Sequence, residues 1–101
     1  MKPTLAAEKN KRIRAAVLEI LKTEYPGALD TKVLRFSLDN LGYPLPEEGL
    51  RAQLKYLEEK GLITVHSKKG YGFRLSYVSL TARGWDFLDG NISEKGIDGS
   101  F

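Results

Sequence analysis

The chain has 101 residues, no cysteine and a formal net charge of +3. That length suits one domain, and 42% hydrophobic residues are enough to build its core. Disulfides and thiolate metal sites are excluded, and no stretch approaches the roughly 20 apolar residues of a membrane helix. The opening MKPTLAAEKNKRIR also lacks the apolar run of a signal peptide. The expectation is a soluble, cytoplasmic protein with no membrane partner.

Charge is clustered. Residues 1–23 carry six Lys and Arg against two Glu, and residues 63–84 carry Lys68, Lys69, Arg74 and Arg83 with no acid. Residues 24–62 and 85–101 are net acidic. Clustered cations attract a polyanion better than the same charge spread evenly.

A first helix is expected from Thr4 or Leu5. Ile13, Val17, Leu18, Ile20 and Leu21 fall at helical spacing, and alanines raise the propensity. It should end before Pro26-Gly27. Asp30 or Thr31 can cap a second helix, Asp30 to Leu41, with Val33, Leu34, Leu38 and Leu41 facing the core and Phe36 at its edge. Gly42 stops it, and Tyr43-Pro44-Leu45-Pro46 makes a turn. Pro46 suits the first turn of a third helix, with Glu47 and Glu48 at its positive end. Leu50, Leu54 and Leu57 form its buried stripe, and Gly61 closes it so that Leu62 packs back.

Leu62 to His66 then reads as a strand and Phe73 to Ser79 as a second, half-buried one. Ser67 to Gly72 is expected as a longer hairpin tip between them. Thr81 caps a last helix that carries Trp85 and Leu88 and ends at Gly90. The remaining residues, 91–101, form a polar tail, either mobile or held down by Ile92 and Ile97. The expected architecture is α+β: a winged helix-turn-helix over residues 1–90, with three core helices, a two-stranded wing and a C-terminal helix.

In that architecture the third helix enters the DNA major groove. Arg51 and Lys55 share its outward face and could meet bases or phosphates. They fit equally well a solvated face paired with Glu47 and with Glu58 or Glu59. At the wing, Lys68, Lys69, Tyr71 and Arg74 suit a phosphate backbone or minor groove, or else a hairpin end that lysine keeps soluble and glycine bends. The run Lys9, Lys11, Arg12 and Arg14 could contact phosphates or a partner, or simply solvate a helix turn. Trp85 and Phe87 could pack on the first helix or face a second subunit.

Catalysis finds no constellation. His66 is the one histidine, no serine sits in a nucleophile elbow, and the pairs Glu47/Glu48 and Glu58/Glu59 diverge on their helices. Gly70-Tyr71-Gly72 lacks the spacing of a phosphate loop. No enzyme, cofactor or metal is expected.

Two stretches carry a family resemblance. LKYLEEKGLI (Leu54 to Ile63) resembles the end of the third helix in ArsR- and MarR-like winged-helix regulators, and SLTARGWDFL (Ser79 to Leu88) resembles their closing segment. From about Arg12 to Ile97 the chain resembles small proteins of Mu-like phages and prophages. They share the turn near Tyr25-Pro26-Gly27, the run LRAQLKYLEEKGLITV and the ending LTARG. The resemblance implies a phage-type winged helix and supplies no ligand or catalytic residue. Pro46-Glu47-Glu48-Gly49 departs from the Ser, Thr, Gln or Arg usual there in DNA readers. The leading expectation is a DNA-binding transcriptional regulator on double-stranded DNA, with a homodimer suiting a palindromic site. The alternative is a protein-interaction adaptor of the same fold, motivated by the acidic helix start and tail.

Overall fold

The computed structural model describes residues 4–70 and 72–97. Helix α1 spans Leu5–Lys22, and the Thr4 hydroxyl caps it by accepting from the Ala7 N–H at 3.1 Å. Ala15, Ala16, Val17 and Leu18 are all fully buried, so the alanines serve packing as well as propensity. Four consecutive buried positions mean that neighbours surround α1 on more than one face. Three tightened i to i−3 bonds carry the chain from Thr23 to Tyr25, and Pro26 follows.

A strand then appears where none was expected. β1, Ala28–Asp30, pairs antiparallel with β3, Phe73–Leu80, through Ala28↔Ser79, Leu29↔Val78 and Asp30↔Tyr77. Three residues are too few for a period-two signal, and the strand exists because β3 offers a free edge. Asp30 also caps helix α2, Thr31–Asn40, its carboxylate accepting from the Lys32 N–H at 2.7 Å. Leu34 and Leu38 are buried. Val33 and Leu41, expected inside, are 49% and 54% exposed, and Phe36 is 65% exposed. Spacings of three and four fit two adjoining stripes of a helix, and packing against α1 selects the one through Leu34 and Leu38.

Helix α3 spans Glu47–Glu59. Pro46 stands just outside it at the N-cap position (φ −67°, ψ 162°) and not in its first turn as expected. α3 ends at Gly61, where φ is +74°. The Leu62 N–H donates to the Leu57 carbonyl at 3.1 Å and the Gly61 N–H to that of Glu58 at 2.9 Å. That closure sends the fully buried Leu62 back onto the helix.

β2, Ile63–Gly70, pairs antiparallel with β3 all the way to Gly70↔Phe73. The expected tip from Ser67 is therefore mostly strand, and only positions 71 and 72 connect the two. The sheet has three strands in the order β1-β3-β2, a wing hairpin with one strand added. Helix α4, Ala82–Leu88, starts at Thr81. The Thr81 hydroxyl accepts from the Gly84 N–H at 3.0 Å and donates to the Gly61 carbonyl at 2.7 Å, tying the start of α4 to the end of α3. Phe87 is buried, and the half-buried Trp85 lies against Tyr25 with ring centroids 4.9 Å apart.

This is a winged helix of the α+β class, with its core between α1, α2, α3 and the inner face of the sheet. Gly84 offers a test of the packing. A methyl group there would strike the Leu62 carbonyl and the Leu80 side chain. Glycine to alanine within a helix ordinarily stabilises by about 1 kcal/mol. Gly84→Ala is expected instead to destabilise by roughly 1–3 kcal/mol, the usual cost of overpacking, as read by urea unfolding.

Candidate nucleic-acid interface

The inward face of α3 is Leu50, Gln53, Leu54 and Leu57, all buried. Gln53 is the buried polar residue, and both ends of its amide are satisfied. Its Oε1 accepts from Arg14 Nε at 2.7 Å, and its Nε2 donates to Asn10 Oδ1 at 2.9 Å. Arg14 also donates through Nη1 to the Gly96 carbonyl at 2.9 Å, and its guanidinium lies 3.7 Å from the centre of the Tyr56 ring. One side chain thus joins α1, α3 and the segment after α4.

That segment has a second fastening. Glu94 accepts from Arg83 Nη2 at 2.7 Å and lies 3.7 Å from Lys60 Nζ, while Ile97 is buried. Residues 91–97 are held against the body in these ways. Arg14 is therefore withdrawn from the basic run that could contact phosphates, a partner or solvent. Lys11 pairs with Glu8 at 3.7 Å, while Lys9 and Arg12 are exposed.

The outward face of α3 carries Glu47, Glu48, Arg51, Lys55, Glu58 and Glu59, all exposed. Arg51 Nη2 lies 3.6 Å from Glu47 Oε1. Lys55 has no ion pair among the described residues. Glu58 turns to the wing, its carboxylate accepting from the Val65 N–H at 3.2 Å, so β2 is anchored to the helix it flanks.

Between this face, the start of α2 and the wing runs a groove of about 750 Å³. Leu50, Leu54 and Val65 contribute its apolar walls. Its rim brings Arg51 and Lys55 together with Lys32 and Arg35 of α2. Sequence reading missed the α2 pair. The signal was there: Lys32 and Arg35, three apart, lie away from the buried Leu34 and Leu38. Four cations face three carboxylates, Asp30, Glu47 and Glu58, and each carboxylate is engaged by a cap, an ion pair or the wing backbone. Lys32, Arg35 and Lys55 have no such partner among the described residues.

The wing lysines part company. Lys68 pairs with Leu75 and Lys69 with Arg74, and successive strand residues point to opposite faces. Lys69 shares the face of Ile63, Val65 and Ser67, which looks toward the helices and the groove. Lys68 shares the other face with His66. Both lysines are exposed. Tyr71 and the Arg74 side chain lie outside the described residues. Among the described residues no cluster of His, Asp or Glu could hold a metal ion, and no helix is long and apolar enough to cross a membrane.

No protein-family model matches the chain, and no curated protein does. Solved structures do match. The chain is similar to a PadR family transcription regulator from hypervirulent Clostridium difficile R20291, at 25% identity and TM-score 0.63, over 78% of this chain and 81% of that one. The winged-helix fold is shared. A candidate transcriptional regulator from Thermoplasma acidophilum matches at 26% identity and TM-score 0.61, over 74% of this chain and 72% of that one. Bacillus subtilis PadR, solved in complex with operator DNA, matches in fold at 23% identity and TM-score 0.62. There the match covers 85% of this chain and 51% of the PadR chain.

The Arg14 contacts give this site its own test. Arg14→Ala removes both hydrogen bonds and strands the Gln53 carbonyl in a largely dry setting. A loss of about 2–3 kcal/mol is expected in urea unfolding. Faster amide exchange at Gly96 and Ile97 should accompany it.

Proposed function

We propose that this chain is a DNA-binding winged-helix protein that regulates transcription. The observation that carries this reading is the groove between α3, the start of α2 and the wing. There, Lys32, Arg35 and Lys55, with no partner among the described residues, line a concave surface, and two of its three carboxylates, Asp30 and Glu58, are engaged by a helix cap and by the wing backbone. Similarity to PadR-type regulators, one of them solved on operator DNA, supports the same use of the fold.

In this reading Lys32, Arg35 and Lys55 take phosphates flanking the major groove, and Arg51 reaches base edges. Lys69 reaches the backbone from the groove side of the wing, and Tyr71 and Arg74 extend that contact. Lys68 reaches the backbone from the other face. Two copies of the chain would suit a palindromic operator. The resemblance to proteins of Mu-like phages supports a prophage setting, and such a regulator works in the cytoplasm.

Binding should weaken steeply with salt, because each neutralised phosphate releases counterions. Duplex affinity measured by fluorescence anisotropy across a salt series provides the slope. Lys55→Ala and Lys69→Ala are each expected to lower its magnitude by about one. Lys68→Ala should have a smaller effect, because its side chain leaves the opposite face of the wing. Indifference to every duplex at low salt would overturn the reading and favour a protein-binding adaptor, for which the exposed Phe36 on α2 offers a contact point.

A further inference from the structure

Glu47 and Arg51 stand one turn apart on α3, with side chains 77% and 75% exposed and 3.6 Å between Oε1 and Nη2. Both line the groove. A pair so exposed contributes little to stability. A carboxylate in that position also repels phosphates, so as a phosphate-binding surface the start of α3 is poorly made.

The pair makes better sense against base edges. A guanine presents two acceptors in the major groove, O6 and N7, which match the fork of an arginine. A cytosine presents an N4 amino donor, which a carboxylate accepts. Adenine also presents an amino group, but its N7 acceptor stands beside it and repels a carboxylate. Thymine presents an acceptor and a methyl group, so it offers a carboxylate nothing.

We propose that Glu47 and Arg51 form one reading unit for two consecutive G·C pairs. Arg51 donates to O6 and N7 of a guanine, and Glu47 accepts from N4 of a cytosine in the adjacent pair. Helical spacing of four sets the two side chains on one face, one turn apart and within 3.6 Å of each other, so both can meet neighbouring base pairs. At other sequences the carboxylate meets acceptors or phosphate and opposes binding, which makes it a device against wrong sites. This inference rests on the DNA-binding reading above.

The test is selection of bound duplexes from a randomised pool by the full chain, followed by affinity measurements on the recovered site. Two consecutive G·C pairs are expected, and replacing the cytosine-bearing pair should weaken wild-type binding about tenfold. Glu47→Ala should erase that discrimination while raising affinity for unrelated DNA. Glu47→Gln should shift the preference at that pair toward adenine, since an amide both donates and accepts. Unchanged far-UV circular dichroism confirms that the variants fold. An identical preference at that pair in wild type and both variants would overturn the reading unit and leave DNA binding standing. Absence of binding to any duplex would overturn both.

Discussion

The outward surface of α3 is set from behind, by the contact between Arg14 and Gln53. A buried amide must satisfy a carbonyl and an NH2 at once. Here Arg14 meets the first at 2.7 Å and Asn10 the second at 2.9 Å, both from α1. Leucine contacts alone tolerate a helix sliding or rolling slightly, because dispersion is not directional. Two hydrogen bonds to one amide do not. They fix the rotation of α3 on α1, and so fix which residues project into the groove. The same guanidinium holds the Gly96 carbonyl and covers Tyr56, so the chain after α4 shares in positioning the helix.

A second set of polar contacts governs the wing. Thr81 joins the end of α3 to the start of α4, and Glu58 joins α3 to β2. The hairpin is therefore aimed relative to the helix beside it. Carboxylates that look adverse to a polyanion in a list of charges have structural duties here. Glu58 satisfies a strand N–H, and Asp30 caps α2. Composition counts them all equally, whereas position separates charge already committed from charge still available.

Much of this was legible in the sequence where the cause is local. Gly61 after the stripe Leu50, Leu54, Leu57 announces a helix end. Asp30 and Thr81 announce helix starts. The order of elements follows from such signals. The failures share a different cause. β1 is a strand only because of the edge of β3, nearly 50 residues later. Lys68 and Lys69 have the composition of a loop, yet pairing with Leu75 and Arg74 extends them. Val33 and Leu34 look alike until α1 selects between them. Arg14 sits in a run of four basic residues, and nothing nearby marks it out. Its partners lie 39 and 82 residues away. The helix-borne candidates Arg51 and Lys55 follow from helical spacing, whereas Lys32 and Arg35 join them only because the fold sets the start of α2 beside α3 and the wing.

The short connection at positions 71 and 72 gives the wing a parity. Side chains alternate along β2, so the residue that looks toward α3 depends on how many residues lie between Ile63 and the turn. Lengthening both strands by two residues would keep every face and carry the tip further out. Inserting one residue before Lys68 would exchange the faces of the two lysines while the residues of β3 keep theirs. A wing of this register can thus lengthen in steps of two with every face kept, while odd-length changes in one strand re-sort which of its charges meet a ligand. Wing length is in this sense a discrete variable, and its evenness or oddness carries chemical meaning.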